Sequence, residues 1–168
     1  ILRHSYFKWE VFDNRRSNPI GLKEMHVHQI VKSAFLFLMQ EKQILLYKRK
    51  DTTHFPNYYG VVSGNVEEDE LFENAIIREA DEETGIKIEQ QDLKVVHVMH
   101  RIDVQDESFY VFFLAEKWSG EIENREPNRC EELVWVSVEN LPQNIVPYLK
   151  DAINNHISKT NFSEYKWQ

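Results

Sequence analysis

The chain is short of cysteine, glycine, proline, long apolar runs and positive charge, and each shortage excludes something. One residue in 168 is a cysteine, Cys130, so neither a disulfide framework nor a cysteine zinc site can form within the chain. That usage fits a reducing compartment, and a cytoplasmic location is expected. Glycine and proline contribute 5 residues each, and there is no Gly/Pro/Ser-rich linker, low-complexity tract or internal repeat. Apolar runs such as Ala34 to Met39 are far too short to span a bilayer. Residues Ile1 to Glu10 mix apolar, basic and acidic types, unlike a signal peptide. Against 28 Asp+Glu there are 20 Lys+Arg, a net charge of -8. A surface of that sign repels a polyphosphate backbone and argues against a nucleic-acid polymer as partner. A small anionic substrate is still admissible where a bound divalent cation inverts the local field.

What is present is an ordinary globular composition, 42% hydrophobic and 29% charged, with length enough for one domain and a real core. The turn-rich stretch Asp13 to Gly21 sets off an N-terminal extension, 1–24, in which Ser5 to Phe12 has the character of an added edge strand. The domain proper is expected over 25–160, with 161–168 as a tail. Strands are predicted at His26 to Met39, Gln43 to Arg49, Tyr58 to Ser63, Leu93 to Val104, Ser108 to Trp118 and Leu133 to Val138. Leu71 to Thr84 is rich in helix formers and stops at Gly85. Ile145, Leu149, Ala152, Ile153 and Ile157 fall at helical spacing after the prolines of Leu141 to Pro147, so the chain is expected to end on an amphipathic helix. Several strands, a helix, more strands and a helix describe a mixed sheet covered on both faces.

The chemistry is concentrated on the first helix. At about 100° per residue, Glu79, Glu82 and Glu83 share one face, with Arg78 beside them. Read alone, such a face is more often a solvated acidic surface than a site. Its spacing to other residues reverses that weighing. Gly64 is followed after five residues by Glu70, and after seven more by Arg78-Glu79-Ala80-Asp81-Glu82-Glu83-Thr84-Gly85-Ile86. Like charges this close need a positive partner, and Mg²⁺ takes a few carboxylates, water and phosphate oxygens. Gly64 ends a strand and lets its carbonyl approach a metal, and Glu70 at the helix start can pair with Arg78.

This arrangement resembles the signature of the Nudix (MutT-like) hydrolases, GX₅EX₇REUXEEXGU, with every fixed position matched and Ala80 and Ile86 at the aliphatic positions U. The resemblance implies an α/β/α sandwich with a mixed central sheet. It implies Mg²⁺, with Mn²⁺ as a substitute, held by Gly64, Glu79, Glu82 and Glu83, while Glu70, Arg78 and Glu79 serve catalysis. It places Arg49, and more weakly Lys48, where substrate phosphates arrive, and offers Glu126, Glu131 and Glu132 as further acids. Ser63 and Asp69 stand where many members have glycine.

The implied reaction is hydrolysis of a nucleoside diphosphate linked to a group X. A nucleoside triphosphate, including oxidised or damaged ones, would yield monophosphate and pyrophosphate; ADP-ribose or another nucleotide sugar is the alternative. A catalytically silent nucleotide sensor is the reading of another class, set against the complete acid set. Isopentenyl-diphosphate isomerase shares the fold but needs a cysteine near the strand before the box, and Cys130 lies far downstream. Family members are often homodimers, which Ser5 to Phe12 could serve. His26 and His28 share a strand face without a third ligand, and Trp9, Trp118, Trp135 and Trp167 read as core or edge aromatics.

Overall fold

The computed structural model describes residues 30–50, 54–103 and 107–166. The extension with Ser5 to Phe12, the pair His26 and His28, Trp9 and Trp167 lie outside these residues. The elements are β1 (Ile30–Gln40), β2 (Gln43–Arg49), β3 (Tyr59–Gly60), β4 (Ser63–Asn65), α1 (Phe72–Thr84), β5 (Leu93–Ile102), β6 (Glu107–Ala115), β7 (Cys130–Ser137), α2 (Pro147–Ile157) and β8 (Phe162–Lys166). The sheet runs β3-β2-β1-β6-β5-β8, with β4 beside β1 and β7 beside β2. It is mixed: β1 is parallel to β6 and antiparallel to β4.

Alternation along β1 makes two cores. Ala34, Leu36 and Leu38 face α1, meeting Ala75, Ile76 and Ala80. Phe35 and Phe37 face the other way, meeting Leu149, Ala152 and Ile153 of α2. A period-2 strand between two period-3.6 helices thus produces the expected sandwich. Trp118 and Trp135 pack against the α1-side core.

Two features position the site. The first is a split. Strands β1 and β2 pair only at Met39↔Ile44 and Gln40↔Gln43. Beyond that hairpin β1 continues with β4 and β6, while β2 continues with β3 and β7. The second is the crossing of this split. Tyr58 to Ser63, expected as one strand, is divided between two partners: Tyr59–Gly60 pairs with β2 and Ser63–Asn65 with β1. Between them Val61 and Val62 are buried in opposite cores, and the Val62 carbonyl accepts the Leu36 N–H at 2.9 Å. The crossing delivers Gly64 opposite Ala34.

Helix α1 ends as the sequence indicates. Gly85 has φ 77 and its N–H donates to the Asp81 carbonyl, a left-handed cap that costs glycine little. Asp69 also takes a positive φ, 61, a conformation that suits glycine and that aspartate tolerates. The chain does not end on α2. Residues Phe162–Lys166 add β8, parallel to β5. His97, fully buried, ties this strand down: its Nδ1 lies 2.8 Å from the Thr160 carbonyl and its Nε2 2.8 Å from Ser163 Oγ.

Candidate active site

A cleft of about 850 Å³ opens where β1 and β2 separate. Ser33 and Phe35 line it from β1, Tyr47 and Arg49 from β2, Gly64 from β4, Glu79 and Glu83 from α1, and Glu126 and Arg129 from the segment before β7. Residues as far apart in sequence as Ser33 and Arg129 are thus brought to one surface by the split sheet.

Arg78 organises the acidic wall. Its Nε and Nη2 hold Glu70 at 3.0 and 3.1 Å, a two-pronged pair. Its Nη1 donates to Glu79 Oε1 at 2.7 Å and reaches Glu82 at 3.3 Å, and its Nη2 also reaches the Asn65 carbonyl at 3.3 Å. Glu70 additionally accepts the Glu67 N–H at 3.0 Å. The Arg78 fork keeps Glu70 below the usual carboxylate range, with the Glu67 bond adding to it. Glu70 therefore acts on the site through Arg78. Glu82, with 56% of its side chain exposed, stands at the outer rim.

Glu79 and Glu83 behave in the opposite way. Burial raises Glu79 despite Arg78, and Glu82 and Glu126 add repulsion. Burial raises Glu83 well above the usual range, with further repulsion from Glu79 and Glu126 and only partial relief from the Ser63 backbone. Its Oε2 is buried without a hydrogen-bond partner. An orphaned carboxylate oxygen beside two more carboxylates is a hard-oxygen donor set that a divalent cation would satisfy. Among the described residues no three His, Cys, Asp or Glu side chains are already gathered closely enough to hold a metal ion by themselves.

The box glycines have steric reasons as well. A Cβ on Gly64 would collide with the Glu79 carboxylate, and one on Gly85 with the Arg125 guanidinium. Arg125 also pairs with Asp81 at 3.2 Å, and the Arg125 N–H donates to the Glu83 carbonyl at 3.1 Å. These bonds clamp the following residue, Glu126, against α1.

The sheet sorts the remaining candidates. Arg49 faces the cleft, donating to the His54 carbonyl at 3.2 Å and to the Tyr47 hydroxyl at 3.3 Å. Lys48 is paired with Glu131 at 2.9 Å, and Glu132 accepts the Tyr59 hydroxyl at 2.7 Å. Neither Glu131 nor Glu132 lines the cleft. Cys130 does line it, but burial, helped by Glu83, pushes its thiol up to about 11, and its Sγ donates to the Glu132 carbonyl at 3.3 Å. A neutral thiol so held is a poor nucleophile. Sequence reasoning missed the far end of the cleft, built from Phe55, Arg101, Asp103, Tyr110 and Tyr148. These residues come from four separate segments, and no spacing connects them.

A split mixed sheet, a glycine-flanked acidic helix and an arginine fork over it define the Nudix class of hydrolase. The NUDIX domain family matches residues 29–156, and the chain belongs to it. Among solved structures it is similar to the MutT Nudix hydrolase of Burkholderia pseudomallei, at 29% identity over 76% of this chain and 98% of that one, TM-score 0.70. It also resembles the MutT protein of Methanosarcina mazei Go1, at 18% identity over 79% and 96%, TM-score 0.68. A third is the MutT protein of Bacillus halodurans, at 16% identity over 83% and 91%, TM-score 0.68; these last two show the fold alone. The chain is thus a hydrolase of phosphoanhydride bonds, from a family that acts on nucleoside diphosphate-linked substrates and generally uses divalent metal ions. Among the described residues no helix is long and apolar enough to cross a membrane.

Proposed function

We propose that this protein is a Mg²⁺-dependent pyrophosphohydrolase that converts a nucleoside triphosphate, oxidised or damaged ones included, to the monophosphate and pyrophosphate. The observation that carries the reading is the orphaned Glu83 oxygen, buried beside Glu79 and Glu126 in a cleft that Arg49 and Arg129 also line. Glu79, Glu82, Glu83 and the Gly64 carbonyl would hold the metal, and Mn²⁺ would serve in its place. When bound, the ion supplies positive charge to phosphate oxygens and lowers the pKa of a coordinated water.

The remaining work falls to the chain. Arg78 holds Glu79 in place and is itself held by Glu70. Glu79, with Glu126 clamped beside it, is the carboxylate placed to take the proton of the attacking water. Arg49 and Arg129, on the cleft wall, neutralise the phosphate chain and orient it. Glu131 and Glu132 stay with Lys48 and Tyr59 and hold β2, β3 and β7 together.

The test is product analysis on a panel of nucleoside triphosphates, ADP-ribose and nucleotide sugars with Mg²⁺. Monophosphate plus pyrophosphate from triphosphates is expected. Glu83→Gln is expected to lower kcat/KM by on the order of 100-fold or more, and Glu82→Gln by less. If ADP-ribose alone turned over, the substrate reading would give way to the nucleotide-sugar one; if no diphosphate-linked compound turned over, the proposal would fall.

A further inference from the structure

The far end of the cleft is chemically unlike the acidic end. Arg101 and Asp103 face it, together with Phe55, Tyr110 and Tyr148. The Arg101 guanidinium lies 5.8 Å from the Tyr148 ring centre and 5.9 Å from that of Tyr110. Its Nη2 donates to Asp103 Oδ2 at 2.5 Å and its Nη1 to the Tyr110 hydroxyl at 3.3 Å. Its Nε is buried with no hydrogen-bond partner. Phe55 and Tyr148 meet edge to face at 6.4 Å, and Tyr110 and Tyr148 lie 5.3 Å apart. An aromatic wall thus sits beside a cationic donor and an anionic acceptor that touch each other.

The distance to the acids suits a nucleotide. Strands β4, β1, β6 and β5 are successive neighbours; Gly64 stands opposite Ala34, and Arg101, through Ser108, is level with Val31. Three interstrand steps and three residues along the strand separate them by about 17 Å, a span a ribose and its phosphates can bridge. With the phosphates at Arg49 and the acids, the base falls against Tyr148 and Phe55.

We infer that Arg101 and Asp103 read the base, selecting one whose edge has a carbonyl next to a ring N–H. Guanine, hypoxanthine, uracil and thymine carry that edge; adenine and cytosine present the reverse, an amino group next to a bare ring nitrogen. Arg101 donates to the carbonyl and Asp103 accepts from the N–H. An amino-type base would set its own donor against Arg101 and its bare nitrogen against the Asp103 carboxylate, leaving polar groups unpaired in a confined site. The inference rests on the nucleotide reading of the cleft and adds to it which bases are accepted.

The test has two readouts. The first is kcat/KM with Mg²⁺ for GTP and UTP against ATP and CTP. The second is metal-free calorimetric binding of GMP and UMP against AMP and CMP, which needs no hydrolysis. Wild type is expected to favour the carbonyl-edged members by on the order of tenfold or more in both. Arg101→Met and Asp103→Asn, each verified as folded by circular dichroism, are expected to bring that ratio toward one. Hydrolysis of all four triphosphates at similar kcat/KM would overturn the inference while the proposed reaction stood. Discriminating binding without hydrolysis would sustain it while the proposed reaction failed. A wild-type preference unchanged in a folded Arg101→Met would overturn the assignment to this pair, and neither hydrolysis nor binding of any nucleotide would overturn both.

Discussion

Burial and the neighbouring carboxylates Glu79 and Glu126 outweigh the little that steadies the Glu83 charge, a Ser63 backbone hydrogen bond and the nearby Arg129. The folded pKa of Glu83 is raised, so the folded state holds the proton more tightly than the unfolded chain. Its contribution to stability is therefore present below the ordinary glutamate range and is lost as pH rises through the raised folded value. Without metal, Glu83→Gln is expected to raise Tm by a few degrees at neutral pH, with the gain disappearing on acidification, as thermal melts across pH would report. Arg78 is the counterpart. Its two prongs on Glu70 require a planar fork, so Arg78→Lys is expected to lower kcat/KM by about tenfold or more. Melting should show it folded, separating lost positioning from lost structure. The grouping of Gly64, Glu70, Arg78, Glu79, Glu82 and Glu83 was legible in the sequence because all six lie within one loop and helix, where fixed spacing carries the signal. Glu126, Glu131 and Glu132 were not separable, because which of three nearby acids faces a cleft depends on the β2–β7 register and the irregularity between Lys48 and Arg49.

At the scale of elements, α1 and its glycine cap were readable because helix formers and a terminating glycine are local signals. Gly85→Ala must hold a left-handed backbone and displace Arg125. It is expected to cost about 1–2 kcal/mol, measurable by urea unfolding, and to lower activity by loosening Glu126. The division of Tyr58 to Ser63 into β3 and β4 was not readable, since both halves favour strand and only tertiary pairing assigns them to β2 and β1. Strand β8 was missed for a related reason: FSEYK is short and polar, and its partners are non-local. Its anchor is titratable. Burial lowers the His97 pKa, opposed by the Thr160 carbonyl. The stability His97 confers is thus complete above the unfolded histidine value near 6.5 and is lost as pH falls toward the folded one. Protection factors of the amides in residues 162–166, corrected for the pH dependence of intrinsic exchange, are expected to fall as pH drops from 7 to 5, and unchanged protection would count against this role.

For the whole molecule, the split between β1 and β2 is what turns a covered sheet into an enzyme. Binary patterning revealed the sandwich, because alternation in β1 and the stripes on α1 and α2 are sequence properties. It could not reveal the cleft, because no periodicity records where two strands part. One end of that cleft gathers carboxylates whose repulsion is uncompensated, and the central claim is that a divalent cation compensates it. The direct measurement is Tm as a function of Mg²⁺ concentration for wild type and Glu83→Gln at neutral pH. Binding to the folded state alone raises Tm by mass action. The expected result is a saturable rise for wild type and a much smaller one for Glu83→Gln, so that metal-free Glu83→Gln starts higher and saturated wild type overtakes it. Equal responses in the two proteins, or none in wild type, would contradict the account.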